Sequence, residues 1–69
     1  MTRIQLRTLL IEHGLNQREA AQLLGVAVRT VRSWLHGDRA IPGTVVQFFR
    51  LLAMLPERSR RQAVKLMLV

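Results

Sequence analysis

Between Gln17 and His36, polar and apolar residues segregate onto opposite sides of two short helices joined by a sharp turn. Asn16 precedes Glu19 at the spacing where each side chain satisfies the other's open backbone amide, so a helix is predicted to begin at Gln17. Ala20, Ala21 and Leu24 then fall on one side of it. Gly25 most easily takes the left-handed backbone that turns a chain, which puts the turn at Gly25 to Ala27. A second helix, from about Val28 to His36, directs Val31, Trp34 and Leu35 one way and Arg29, Arg32, Ser33 and His36 the other. One face is apolar and one is cationic, and the phase of Trp34 with Val31 makes it a core residue.

The flanking segments carry the same period. Thr2 and Gln5 stand at capping-box spacing ahead of a helix that runs to about His13, where Gly14 stops it. Leu6, Leu9 and Leu10 form a stripe expected to pack on the central pair, while Ile4 and Ile11 lie nearly opposite, as scattered surface residues or as contacts with another part of the chain. Arg3 and Arg7 either reach phosphate groups or are simply solvated. After a turn at His36-Gly37-Asp38-Arg39 and an irregular Ile41-Pro42-Gly43 linker whose Ile41 plugs the bundle, Thr44 is the expected cap of a fourth helix. Its sequence VVQFFRLLAML is apolar almost all round: Val45, Phe48, Phe49 and Leu52 can fill the core, which leaves Val46, Leu51 and Met54 over. Leu55-Pro56 ends it, and a fifth helix is predicted from Pro56 to about Met67, charged in its first half and bearing Ala63, Val64, Leu66, Met67 and Leu68 towards its end. The expected fold class is all-α, a compact bundle of about five short helices.

At 69 residues the chain is one small domain near the lower size at which a core holds without metals or disulfides. Nearly half of it is apolar, enough for such a bundle, and the lack of cysteine removes disulfide staples, zinc thiolates and thiol nucleophiles. That lack permits a reducing cytoplasm. With no long apolar run and no basic-then-apolar opening segment, the expectation is a soluble, cytoplasmic protein without a membrane partner.

A net charge of +7 implies a polyanionic partner, and charge alone admits DNA, RNA or an anionic membrane. Ten of the eleven basic residues are arginine, whose planar fork binds phosphate or the guanine edge through two hydrogen bonds. A GC-rich genome produces the same bias. Catalysis is not expected: the two histidines sit at different helix ends, the four acidic residues are dispersed, and no glycine-rich phosphate loop or paired carboxylate occurs. No cofactor or metal is expected either. RNA ranks behind DNA, because the chain has no tyrosine and no exposed aromatic platform.

Counted from Gln17, alanine stands fifth, glycine ninth, a β-branched residue fifteenth and a large apolar residue eighteenth, as Ala21, Gly25, Val31 and Trp34. This stretch resembles the helix-turn-helix of phage Cro and C1-type (XRE-like) repressors. There the small residue lets two helices cross closely, the glycine makes the turn, and the apolar pair pins the second helix to the core. The resemblance covers roughly Leu6 to Leu55, with one departure at Ala27, where the family often has a polar cap. It implies a lambda repressor-like bundle whose second motif helix enters the major groove, with Val28, Arg29, Arg32 and Ser33 as base-contacting candidates. Arg29 and Arg32 can each pair with guanine, at roughly 1–3 kcal/mol of discrimination, or contact phosphate without reading sequence. Val28 either meets a thymine methyl or belongs to the core. The phosphate-contacting candidates are Gln17, which also matches the family, with Arg18, Thr30, His36 and Arg39. An isolated histidine near a helix end is as readily a structural residue.

Function follows as an expectation: a sequence-specific double-stranded DNA-binding transcriptional regulator, a homodimeric autorepressor occupying an inverted-repeat operator. Residues 1–55 would form the DNA-binding part and residues 56–69 a C-terminal helix for dimerisation, with Val46, Met54, Ala63, Leu66 and Met67 at the dimer interface. Alternatively the fifth helix folds back over the first and fourth and needs no second chain. The minimal motif domain, QREAAQLLG and the TVVQFF-type fourth helix also look like phage-borne autorepressors, including those associated with anti-CRISPR operons. A different class of function on the same fold is an antitoxin-like module, whose toxin partner would dock on the apolar surface of the last two helices.

Overall fold

In the computed structural model, residues 1–68 are described; Val69, the last residue of the expected C-terminal segment, lies outside them. Five helices follow one another, α1 (Arg3–Glu12), α2 (Gln17–Leu24), α3 (Val28–His36), α4 (Gly43–Ala53) and α5 (Glu57–Leu68). No strand occurs among the described residues, so the fold is the all-α bundle expected from the sequence.

The helix starts show why the boundaries fall where they do. At α1 the Gln5 amide donates to Thr2 Oγ1 at 3.1 Å while the Thr2 amide donates to Gln5 Oε1 at 2.8 Å. At α2 the Glu19 amide donates to Asn16 Oδ1 at 2.7 Å, and Glu19 Oε1 accepts from the Asn16 amide at 3.1 Å. Both capping boxes are closed. Thr44 is a correction: α4 begins two residues earlier, with Pro42 at the capping position and no side-chain cap. Proline is already held at φ −64° there, and its carbonyl accepts from the Val45 amide at 3.1 Å, so Thr44 is drawn into the first turn.

The core runs through the middle of all five helices. Leu6 of α1 and Val31 of α3 are sealed from solvent, and around them lie Leu10, Leu15, Ala20, Ala21, Trp34, Leu35, Val45, Phe49, Leu52 and Val64. Leu9 and Phe48 are only partly buried, and Ile41 packs against the core as the plug expected of it. Phe49 makes two ring contacts. It meets Phe48 edge-on, with centroids 5.4 Å apart, and stacks on His13 at 5.9 Å, which ties α4 to the end of α1.

The fifth helix folds back, but onto α2 rather than over α1 and α4. Val64 is buried in the shared core and Ala63 and Leu68 pack against it, while Gln22 Nε2 on α2 donates to the Leu68 carbonyl at 3.0 Å. Ile4 and Ile11 stay exposed, as do Leu51, Met54, Leu66 and Met67. Among the described residues no helix is long and apolar enough to cross a membrane.

Candidate functional site

The site is built from α2, the turn after it and α3. Gly25 caps α2 at φ +70°, a left-handed conformation that side chains with a Cβ resist. Its amide donates to the Gln22 carbonyl and the Val26 amide donates to the Ala21 carbonyl at 3.0 Å, the paired bonds of a glycine-terminated helix end. The chain therefore leaves α2 in a fixed direction. Ala20 and Ala21 are buried where the two helices meet, and their small side chains let α3 approach closely.

The third helix divides cleanly. Val31, Trp34 and Leu35 are buried, whereas Arg29, Arg32 and His36 are exposed on the other side. Ser33 and Thr30 lie at the boundary, half-buried, and Val28 packs against the core while keeping part of its surface open. Of the four base-contacting candidates, the two arginines thus stand fully outward and Val28 and Ser33 flank them. Ala27 precedes the helix without a side-chain cap, and its carbonyl accepts from the Thr30 amide at 3.0 Å and the Val31 amide at 3.4 Å.

The phosphate-contacting candidates lie on α2, on α3 and in the turn after it. Gln17 opens α2 and is half-buried, Arg18 follows it fully exposed, and Arg39 lies exposed in the turn beyond α3. Among the described residues the one ion pair joins Arg61 to Glu57 within α5, at 2.8 Å. Arg18, Arg29, Arg32 and Arg39 consequently carry positive charge with no carboxylate partner among the described residues. Exposed, unneutralised guanidinium groups of this kind suit contact with a polyanion.

For Arg3 and Arg7 the sequence leaves phosphate contact or plain solvation open, and the structure gives each a partner within the chain. Arg3 Nη1 donates to the His36 carbonyl at 3.4 Å and Arg7 Nη2 to the Leu35 carbonyl at 3.3 Å, both at the end of α3. Their one visible signal was the four-residue spacing on the side of α1 next to Leu6 and Leu10. Of the proposed interface residues, Met54, Leu66 and Met67 are exposed, Val46 is half-buried, and Ala63 rests partly against its own core.

A family model described as helix-turn-helix matches residues 6–48, the segment that holds α2, the turn, α3 and their supports. No curated protein and no solved structure matches the chain.

Proposed function

Since the chain belongs to the Cro/C1-type helix-turn-helix family of DNA-binding transcription regulators, we propose that it is a homodimeric repressor that occupies an inverted-repeat operator through the major groove. The observation that carries this reading is the outward face of α3. Arg29 and Arg32 are exposed and have no carboxylate partner among the described residues, while the opposite face of the same helix is locked into the core. A helix held in this way reaches into the groove as a rigid unit, and each arginine fork fits the O6 and N7 acceptors of guanine. Gln17, Arg18, Thr30, His36 and Arg39 fix the register on the phosphate backbone, with Val28 and Ser33 beside the reading arginines.

Dimensions support the two-fold part of the proposal. The bundle measures 33 × 22 × 19 Å and carries one such helix. Half-sites in an inverted repeat lie roughly 34 Å apart on one face of the duplex, so one copy reads one half-site and a second copy reads the other. Met54, Leu66 and Met67, with Val46 and Ala63 beside them, supply apolar surface for that pairing through the α4 and α5 region. A repressor of this kind acts by occupying a promoter, its own included, and works in the cytoplasm.

The test is selection of bound sequences from a random double-stranded pool at near-physiological salt, where counterion release no longer lets any basic protein bind. Recovery of an inverted repeat with half-site centres about one helical turn apart is the expected result. Recovery of no motif would transfer the exposed Met54 and Leu66 surface to the second reading, an antitoxin-like module with a protein partner.

A further inference from the structure

The end of the recognition helix presents four carbonyls that its own ladder cannot use, those of Ser33, Trp34, Leu35 and His36. Two are taken by the backbone beyond it. The Asp38 amide donates to Ser33 at 2.9 Å and the Gly37 amide to Trp34 at 3.2 Å, with Gly37 in the left-handed conformation at φ +82°. The other two are taken from a different helix: Arg7 donates to Leu35 at 3.3 Å and Arg3 to His36 at 3.4 Å. Arg3 also lies across the turn itself, since a Cβ on Gly37 would stand 3.6 Å from its Cδ and from its Nη1. The last turn of α3 is thereby completed by α1.

We propose that Arg3 and Arg7 are positioning residues for DNA reading. They hold the recognition helix by its C-terminal carbonyls and so set how Arg29 and Arg32 face the groove. This rests on the reading of α3 as the groove-entering helix. Two physical facts make the arrangement effective. The donors are two cations from a separate helix, and cations at a helix C-terminus are favoured by the helix dipole. The contact lies at the opposite end of α3 from Val28 and Val31, which pack into the core, so the helix is held at both ends. In this arrangement the two arginines spend their charge on α3 and leave the phosphate backbone to other residues.

The experiment compares the wild type with Arg3→Met and Arg7→Met, which keep the apolar stem and lose the donors, and with Arg3→Lys and Arg7→Lys, which restore a charged donor. Binding to the selected operator and to random duplex is measured across a salt series, and the carbonyl ¹³C shifts of Leu35 and His36 are recorded in the DNA-free protein. The expected result is an approximately tenfold loss of operator affinity for the double methionine variant. Random-duplex affinity and the slope of log K against log salt stay unchanged, the lysine pair recovers most of the loss, and both carbonyl shifts move in the methionine variants. An equal loss on both duplexes, with the slope falling by about one for each arginine, would make them phosphate contacts and overturn the proposal. Unmoved carbonyl shifts would overturn it as well. If the wild type itself fails to distinguish operator from random DNA, the groove reading has failed, and the carbonyl shifts still decide whether the arginines hold α3.

Discussion

Gln22 on α2 donates to the carbonyl of Leu68 on α5 at 3.0 Å, across 46 residues of sequence. Together with buried Val64, this bond makes α5 part of the protomer and not a detached tail. What α5 offers to a second copy is therefore its remaining face. Leu66 lies on that face, 68% exposed, so Leu66→Asp should leave the protomer's stability within about 0.5 kcal/mol of the wild type. The same change should convert a dimer to a folded monomer in analytical ultracentrifugation and weaken operator binding. A variant that stays dimeric would move the interface off α5.

Removing the cap of α2 has a defined cost. Asn16→Ala deletes the acceptor for the Glu19 amide, one half of the capping box, while the backbone amide at this position still donates to Glu19, and should lower stability by about 1 kcal/mol. In urea denaturation the midpoint should fall with an unchanged slope. Because Asn16 precedes the motif, operator affinity at low temperature, where the chain is still folded, should change little.

Gly25→Ala separates backbone strain from crowding. A Cβ there meets nothing within 4 Å, so the whole cost is the left-handed conformation, roughly 1–2 kcal/mol. A loss well above that range in thermal or urea unfolding would show that the turn reorganises and that α3 moves with it.

The reading face is tested by Arg29→Ala and Arg32→Ala. Both side chains are exposed and partnerless, so unfolding midpoints should stay near the wild type. For an arginine paired with guanine, the ratio of operator to random-duplex affinity should fall by roughly 1–3 kcal/mol. An equal loss on both duplexes would assign that arginine to phosphate.

Local chemistry was the legible part of this fold. The capping pairs Thr2 with Gln5 and Asn16 with Glu19, the turn at Gly25 and the split of α3 into two faces depend on residues within a few positions of each other, and all appear as read. The start of α4 lies two residues before the one expected from Thr44, because proline and threonine can both precede a helix, and the position held by Pro42 wins. The destination of α5 was missed for a different reason. An apolar stripe states that a face must be covered without stating by what, and α2 supplied Gln22 as well as a surface. Arg3 and Arg7 were least legible of all, since a long cationic side chain finds its partner only once α1 has been laid beside the end of α3.

The clean partition of α3 has a consequence for how such a chain diverges. Val31, Trp34 and Leu35 answer to the interior, and Arg29, Arg32 and His36 answer only to what lies outside. Exchange of the outward set leaves the packing untouched, so selection is free to rewrite the recognised address while the scaffold stays constant. Transplanting a foreign set of outward residues onto this helix is accordingly the economical way to redirect the protein to a new target.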